Sequence, residues 1–313
     1  MTATSGPGLS LMAEYAGLAY FAEVPIVVWD VQRVGPSTGL PTRTAQGDLT
    51  FTYFLGHGDT QQIILLPGSI NECFEFGWRA FDIAEQMQAP VFVLSDLDLG
   101  MNQWMAHPYE NPDEPMNRGK VLWEQDLEEI QGEWARYRDI DGDGIPYRTV
   151  PGNRHRKAPY FARGTGHNEM ARYSEDPVDY VKLLKRLKQK FYTARKYVPP
   201  PVIDLMEGAN IGIIAFGSTD PAILEARDQM VKKGIETDYL RVRAIPFSTE
   251  VSEFIERHDR NYIIEMNRDG QLHQLLTLEY PARALNLVSI AYSDGFPLTA
   301  RFIENSIAEG EVI

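Results

Sequence analysis

A segment able to bind an anion follows the first long apolar run of the chain. The run IVVWDV spans residues 26–31, and Gln-Arg and then VGPSTGLPT follow it. Its continuous apolar character predicts a buried parallel strand, and open α/β sheets bind ligands at the carboxyl ends of such strands. Arg33 stands there, a permanent cation whose planar fork suits a carboxylate. The residues able to add hydroxyl donors are Ser37, Thr38 and Thr42. We therefore predict an anion site; a hydrated surface loop is the alternative.

A second candidate site lies in the sequence DIDGDG, where three aspartates alternate with small residues. Asp139, Asp141 and Asp143 match the first half of a calcium-binding loop. Val150 stands where such a loop has its bidentate glutamate. The pattern therefore predicts bound Ca²⁺ or Mg²⁺ only in part, and a polar turn without metal is the other interpretation.

The composition excludes several kinds of protein. The 313 residues include 44 Asp and Glu against 30 Lys and Arg, a formal net charge of −14, which disfavours nucleic acid as a partner. The one cysteine, Cys73, permits neither an intrachain disulfide nor an iron–sulfur cluster held by this chain alone. We predict a half-buried helix residue there, and a reducing, cytoplasmic location. The apolar stretch 9–29 is interrupted by Glu14, Glu23 and a proline, so we expect no membrane span.

The elements up to residue 199 predict an α/β domain with a parallel sheet. The predicted helices cover 9–24 and 69–88, the latter capped by Ser69, and the predicted strands cover 26–31, 62–66 and 91–95. Strand, helix and strand at this spacing imply a right-handed crossover. Three strands are few for such a sheet. We therefore expect that part of this domain is absent at the N-terminus or is supplied by another chain.

A long, weakly periodic segment at 101–170 interrupts this domain. Segments of that length without regular structure usually bind something, and we expect this one to embrace a neighbouring subunit. A basic amphipathic helix is predicted over 177–196, with an apolar stripe of Val181, Leu184, Leu187 and Phe191. The prolines at 199–201 then predict a stiff linker and the domain boundary.

The C-terminal segment 200–313 has the pattern of a compact doubly wound domain. Strands are predicted at 211–216, 237–242, 261–265 and 286–290, and helices at 221–233, 249–258, 270–279 and 297–308. Four alternating strand–helix units predict a parallel sheet covered on both faces.

Several long motifs resemble one known family. In order, they include TSGPGLSLMAEYAGLAYFAEVP, VQRVGPSTGLPTRT, PVFVLSDLDLGMN, RYRDIDGDGIPYRT, RGTGHNEMARYSEDP and IIEMNRDGQLHQLL. The set resembles the alpha subunit of 2-oxoacid:ferredoxin oxidoreductases over essentially the whole chain, with the bacterial 2-oxoglutarate enzymes as the best match. The resemblance implies a pyrimidine-type thiamine-diphosphate domain, N-terminally incomplete, followed by a transketolase-C-terminal-like domain. In such domains the edge carrying 265–272 often faces a partner chain, so we expect an interface there.

The resemblance also implies an activity and its partners. Such complexes oxidatively decarboxylate a 2-oxoacid on thiamine diphosphate, pass electrons to ferredoxin and transfer the acyl group to coenzyme A. A beta subunit holds the diphosphate, Mg²⁺ and an iron–sulfur cluster, and a gamma-type domain or subunit is often present. We expect 2-oxoglutarate as substrate and succinyl-CoA as product. Pyruvate or a branched-chain 2-oxoacid, or a catalytically silent assembly subunit, remain the alternatives.

Residue roles follow from the same resemblance. The family's arginine in QR-x-GPSTG matches Arg33, which is expected to bind the substrate carboxylate. The residues Thr4, Ser5 and Gly6 match the family's TSGPG turn and are expected to lie near the cofactor. The family's catalytic glutamate lies upstream of that turn, and Glu14 and Glu23 do not replace it. We therefore expect no catalytic residue in this chain and no turnover by the chain alone.

Overall fold

The computed structural model describes residues 1–311 and has two β-sheets flanked by helices. In chain order the elements are β1 (Thr2–Thr4), α1 (Gly6–Leu11), α2 (Ala13–Ala22), β2 (Ile26–Gln32), α3 (Leu49–Tyr53), β3 (Ile63–Leu65), α4 (Ile70–Met87), β4 (Pro90–Asp96), α5 (Leu97–Met101), α6 (Glu124–Glu129), α7 (Pro177–Thr193), β5 (Val202–Asp204), β6 (Ile211–Phe216), α8 (Asp220–Val231), β7 (Thr237–Val242), β8 (Ala244–Ile245), α9 (Thr249–Arg257), β9 (Arg260–Glu265), α10 (Gln271–Glu279), β10 (Leu287–Ala291) and α11 (Ala300–Glu311). The predicted α/β class is confirmed.

The first sheet has the strand order β1-β2-β4-β3-β8. Strands β2, β3 and β4 are parallel, as predicted, β1 is parallel to β2, and β8 runs antiparallel to β3. The sequence patterns missed β1 and β8, because strands of three and two residues are too short to show a periodicity. Strand β1 lies beside β2, in register with its central residues 28–30, and the TSGPG turn therefore continues towards the carboxyl edge of the sheet.

The second sheet has the order β10-β9-β6-β7-β5. Its four predicted strands are confirmed and parallel to one another, whereas β5 pairs antiparallel with β7. The predicted doubly wound pattern is therefore present. Because β8 belongs to the first sheet, the second half of the chain also completes the sheet of the first half.

Two helices differ from their predictions. The single helix predicted over 9–24 is two helices, α1 and α2, separated at Met12. Helix α4 begins after Ser69, whose side chain accepts the Glu72 amide as predicted. Of the inner stripe that the sequence predicts for this helix, Ala84 and Met87 are buried, whereas Phe74, Gly77 and Phe81 are half-buried and the face also includes Phe76 and Ala80.

Helix α7 confirms the predicted basic helix but not its buried stripe. Leu187 and Phe191 are buried, whereas Val181 is 48% exposed. The cations Arg186 and Lys190 point inward instead, because the buried Glu23 lies beneath this face of the helix. The segment 101–170 is largely irregular, as predicted, with one short helix, α6.

The two halves share one apolar core. Side chains of both sheets, such as Phe92 on β4 and Ile263 on β9, belong to the same buried cluster. Polar contacts add to it, because Arg241 donates to Glu72 through Nη1 at 2.6 Å and Nη2 at 2.9 Å. Within residues 1–311, no helix has both the length and the apolar character needed to cross a bilayer.

Candidate functional site

A cavity of about 600 Å³ opens at the carboxyl edge of the first sheet. One wall is the turn into α1 and the segment after β2, with Gly6, Arg33 and Ser37. The opposite wall comes from the second half of the chain, where Asn267 and Gln271 precede and begin α10. The cavity therefore lies where the two halves meet and where parallel strands end, which is the usual ligand position in open α/β sheets.

Arg33 is placed as the sequence predicted, one residue beyond the end of β2. Its side chain lines the cavity and is half-buried. Among residues 1–311, no carboxylate lies within ion-pairing distance of its guanidinium, and its buried Nε has no hydrogen-bond partner. A half-buried guanidinium without a protein anion is available to bind an anionic ligand.

The loop that follows β2 places one hydroxyl residue of the predicted site on the cavity wall and the other two outside it. The backbone amides of Val34 and Leu40 donate to the carbonyls of Arg43 and Val34, respectively, which close the loop on itself. Ser37 lies on the cavity wall. Thr38 and Thr42 are exposed and do not line the cavity, so the structure does not bring them to Arg33.

Gly39 fixes the shape of this loop. Its φ is +50°, a left-handed conformation that favours glycine, and a Cβ there would lie 2.0 Å from the Val34 carbonyl oxygen. The glycine therefore permits the tight return that leaves Arg33 and Ser37 together at the cavity and Thr42 outside it.

The TSGPG turn contributes its glycine rather than its hydroxyls. Gly6 lines the cavity, and a Cβ on it would come within 2.7 Å of Asp48 Oδ1. Thr4 is turned away, because its hydroxyl donates to the Ser5 carbonyl and lies against Gly8. Ser5 is the residue before α1, and its side chain does not cap that helix. Of the three predicted cofactor residues, the structure thus places Gly6 on the wall.

Two carboxyl groups that the sequence patterns did not single out lie at this site. Asp30 on β2 is fully buried. No amide, hydroxyl or basic side chain of residues 1–311 donates a hydrogen bond to either of its carboxyl oxygens. It faces Asp48, which lines the cavity. Burial and the Asp48 carboxyl raise the pKa of Asp30 to about 8. Burial also raises the pKa of Asp48, while Asp30 and Arg33 oppose that rise.

The signal for Asp30 was present in the sequence. An aspartate within the apolar run IVVWDV is out of place in a buried strand unless it has a partner or a function. Its partner comes from a segment that the patterns did not assign to any element. The pair could therefore be suspected from Asp30 but not completed without the structure.

The second half of the chain fixes the segment that carries Asp48. Gln46 donates to the Phe216 carbonyl at 2.8 Å and accepts the Met266 amide at 3.0 Å. Gln271 donates to the Gly47 carbonyl at 2.7 Å. The edge at 265–272 was predicted to face another chain. These contacts of the edge are with the first half of the same chain, and an interface with another chain stays a prediction.

The predicted metal loop holds a lysine. Lys120 Nζ lies 2.6 Å from Asp141 and 2.8 Å from Asp143. Asp139 accepts the amides of Gly142 and Gly144. In the described part of the chain, no group of three or more His, Cys, Asp or Glu side chains is arranged to hold a metal ion. An ammonium group thus neutralises two of the three carboxylates, which favours the polar turn over the predicted Ca²⁺ or Mg²⁺ site.

Cys73 is half-buried on α4, as predicted. Burial and the nearby carboxylates raise the pKa of its thiol to about 12. A thiol with so high a pKa is not a nucleophile near neutral pH.

Comparison with known proteins matches both the cavity-bearing segment and the whole chain. Residues 1–129 match the family model described as pyruvate flavodoxin/ferredoxin oxidoreductase, thiamine diphosphate-binding. The alpha subunit of 2-oxoacid:ferredoxin oxidoreductase 2 from Aeropyrum pernix is 36% identical over 282 residues, which cover 88% of this chain and 42% of that protein. The 2-oxoglutarate synthase subunit KorA from Methanothermobacter thermautotrophicus is 34% identical over 279 residues, covering 88% of this chain and 71% of that subunit.

A solved structure agrees with these sequence matches. The 2-oxoglutarate:ferredoxin oxidoreductase from Magnetococcus marinus, with 2-oxoglutarate, coenzyme A and succinyl-CoA bound, superimposes with a TM-score of 0.86 and 30% identity. The match covers 99% of this chain and 52% of that one, so this chain spans about half of that neighbour. From the sequence identity, the coverage and the shared fold, we conclude that this chain belongs to the 2-oxoacid:ferredoxin oxidoreductase alpha-subunit family.

Proposed function

We propose that this chain is the part of a 2-oxoglutarate:ferredoxin oxidoreductase complex that binds the carboxylate of the 2-oxoacid. The complex would convert 2-oxoglutarate and coenzyme A to succinyl-CoA in the cytoplasm and reduce ferredoxin. The observation that carries the proposal is Arg33, a half-buried guanidinium in a cavity of about 600 Å³ that forms no ion pair with a carboxylate of residues 1–311. A 2-oxoacid enters as an anion and needs such a partner.

The cavity has features that fit thiamine diphosphate as well as the substrate. Gly6 presents backbone without a side chain on the cavity wall, where a Cβ would meet the Asp48 carboxyl group, and the buried Arg33 Nε has no hydrogen-bond partner. We place the Ser5–Gly6 turn at the cofactor and Arg33 and Ser37 at the substrate. When bound, thiamine diphosphate supplies the electron sink for decarboxylation. The chain's own residues would orient the 2-oxoacid and hold its carboxylate.

Other chains complete the proposal. A beta subunit would hold the diphosphate, Mg²⁺ and an iron–sulfur cluster, consistent with the single cysteine of this chain. Ferredoxin and a gamma-type domain or subunit are the further proposed partners. The irregular segment 101–170 is proposed to contact a neighbouring subunit. It exposes apolar side chains, among them Met101 at 61%, Met105 at 100% and Tyr109 at 50%.

The choice of 2-oxoacid is supported by the names of the relatives. Two of the proteins compared above act on 2-oxoglutarate according to their descriptions, while the Aeropyrum pernix protein is described more broadly as acting on 2-oxoacids. Pyruvate and branched-chain 2-oxoacids are therefore the alternatives within the class. A silent assembly subunit is disfavoured, because such a subunit has no need of an unpaired arginine in a cavity.

Co-purification with the adjacent beta subunit tests the proposal. The pair is assayed for reduction of a viologen dye with 2-oxoglutarate, coenzyme A, thiamine diphosphate and Mg²⁺, and then with pyruvate or a branched-chain 2-oxoacid in its place. We expect the highest kcat/KM with 2-oxoglutarate and none for this chain alone. A higher kcat/KM with another 2-oxoacid would change the substrate assignment. A stable complex inactive with every 2-oxoacid, including after an upstream segment carrying the family glutamate is supplied, would identify a silent subunit.

A further inference from the structure

Arg33 is unpaired even though a carboxyl group lies near it. Asp48 lines the same cavity and acts on Arg33 electrostatically, yet the two side chains form no ion pair. An ionised aspartate beside a half-buried arginine would ordinarily move into contact with it, since charge-assisted pairs are favourable there. The separation therefore needs a cause within the structure.

The cause lies behind Asp48, on β2. Asp30 is fully buried, and both of its oxygens lack a donor from other residues. Asp48 Oδ2 is likewise buried without a donor, and the two carboxyl groups act on one another. Two carboxylates cannot form a hydrogen bond without a proton between them, and two adjacent buried carboxyl groups do not both ionise readily.

We propose that Asp30 and Asp48 share one proton, and that this proton holds Asp48 against β2 and so keeps Arg33 free for the carboxylate of the 2-oxoacid. The inference rests on the proposed function, because it assigns Arg33 the substrate carboxylate. Asp30 acts here through Asp48 and Arg33, so it is a positioning residue.

The residues beside Asp30 offer no other group that would bind this proton. The residues opposite Asp30 on the neighbouring strands are Thr4 on β1 and Leu94 on β4, neither of which carries a charge. The backbone amide of Asp48 donates to Gln32 Oε1 at 3.1 Å, a neutral contact. Arg33 is the cation that acts on Asp48.

The charged groups on the opposite cavity wall and on β4 have partners of their own. Across the cavity, Arg268 pairs with Asp269 at 2.7 Å. Asp96 on β4 accepts the Ser218 hydroxyl at 2.6 Å and the Asp98 amide at 2.9 Å, and so does not face the pair. The Asp30–Asp48 pair is consequently the titrating group whose change in charge acts on Arg33.

The proposal gives the site a definite dependence on pH. With its proton the pair carries one negative charge, and without it two. The second charge attracts Arg33 and repels the incoming carboxylate, so KM for the 2-oxoacid rises with pH while kcat changes less. One additional charge at this range corresponds to about a three- to tenfold rise in KM.

Asp30→Asn is the decisive variant in the assembled enzyme. The asparagine amide still donates a hydrogen bond to Asp48. Because asparagine does not titrate, the pair carries one negative charge, that of Asp48, throughout the pH range measured. KM and kcat for 2-oxoglutarate are measured from about pH 6.5 to about pH 9.5, around the raised pKa of Asp30. We expect KM of the native enzyme to rise across this range and KM of Asp30→Asn to stay level near the native neutral value. Asp48→Asn, a second variant should the first fail to fold, removes the carboxyl group that acts on Arg33 and is expected to give a smaller rise in KM than the native enzyme.

Asp96→Asn is the matched control, because Asp96 is also a buried strand aspartate with a pKa raised by burial, but it does not face Arg33. It is expected to retain the native rise in KM. Infrared difference spectra give a readout independent of turnover. A protonated carboxyl band that disappears on raising the pH should be present in the native enzyme and absent from Asp30→Asn.

The outcomes separate the two proposals. If Arg33→Ala leaves KM unchanged, the proposed function fails and this inference fails with it. If Arg33→Ala raises KM but Asp30→Asn follows the native pH profile, only the inference is overturned. The inference is also overturned if KM of the native enzyme is independent of pH, or if no protonated carboxyl band is lost in the Asp30→Asn enzyme.

Discussion

Glu23 and Asp30 are buried carboxyl groups close together in the chain, and their surroundings are opposite. Glu23, just after α2, accepts from Arg186 Nη1 at 3.0 Å and from Lys190 Nζ at 2.7 Å. Asp30 faces a second carboxyl group and no cation. The cations hold the pKa of Glu23 far below its usual range despite burial, whereas burial and Asp48 raise that of Asp30. Matched charges indicate a structural role, and unmatched charges mark the candidate site.

The matched cluster also explains how the irregular segment is attached. Arg186 donates to the Gly144 carbonyl at 3.1 Å, and Arg136 donates to the Glu23 carbonyl at 3.2 Å. Lys190 donates to the Gln88 carbonyl at 3.0 Å. Glu23 and the two cations that contact its side chain thus join α2, α7, the end of α4 and the irregular segment. The Asp30 site makes no comparable network, which leaves Arg33 available.

The largest expected effect is on the matched cluster. Glu23→Gln leaves Arg186 and Lys190 buried without a counter-charge, so we expect the free energy of unfolding to fall by about 3–5 kcal/mol. Urea unfolding followed by circular dichroism measures the change. Glu169→Gln is the control, because Glu169 pairs with Arg138 at 3.1 Å with both side chains about half exposed, and we expect at most about 0.5 kcal/mol there. Equal losses in the two variants would contradict a structural role specific to Glu23.

Arg33→Ala should show the reverse pattern, with a large effect on substrate and a small one on stability. Loss of a charge-assisted contact to a carboxylate predicts a rise in KM of about 30-fold or more. The change in unfolding free energy should be below about 1 kcal/mol, since Arg33 forms no ion pair within residues 1–311 and its Nε has no hydrogen-bond partner there. Steady-state kinetics of the assembled enzyme measure the first. Arg43→Ala is the matched control on the same loop, because Arg43 lies over the Phe296 ring and not on the cavity wall. A comparable rise in KM for Arg43→Ala would remove the special role of Arg33.

The two carboxyl groups should also give stability slopes of opposite sign with pH. Folding raises the pKa of Asp30 to about 8, so the folded chain keeps a proton that the unfolded chain releases near pH 4, and stability falls between about pH 4 and about pH 8. Folding lowers the pKa of Glu23, so its contribution is present above about pH 4.5 and is lost on acidification.

Asp30→Asn should therefore raise the unfolding free energy at about pH 8 by about 1–3 kcal/mol and have little effect near pH 4. Glu23→Gln should remove part of the native loss of stability in acid. Urea titrations at a series of pH values measure both slopes. Stabilisation by Asp30→Asn that is the same at every pH would show that the carboxyl group is not protonated in the folded chain.

The sequence predicted regular elements well and contacts between distant segments poorly. The strands at 211–216 and 237–242 and the helix capped by Ser69 carry their own periodicity and capping signals, so they could be predicted. The buried cations of α7 could not, because Arg186 and Lys190 face inward only where Glu23 meets them. Asp48 could not be predicted as a partner of Asp30 either, because it belongs to a segment for which the sequence predicted no element.

Resemblance to a family placed Arg33 correctly but gave no distances. It grouped Ser37 with Thr38 and Thr42, since all belong to one motif. The turn at Gly39 separates them, and no pattern in the sequence alone indicates which hydroxyl reaches the cavity.

The smallest expected effect tests that separation. Ser37 lies on the cavity wall, and loss of a neutral hydrogen bond predicts a rise in KM of about two- to tenfold for Ser37→Ala in the assembled enzyme. Thr42→Ala removes an exposed hydroxyl outside the cavity, so KM should stay within about twofold of the native value. Both positions are in one loop, so a general disturbance of the loop would raise KM in both variants. A rise confined to Thr42→Ala would mean that the loop changes its conformation when the other subunits bind, and that the cavity described here is not the one that receives the substrate.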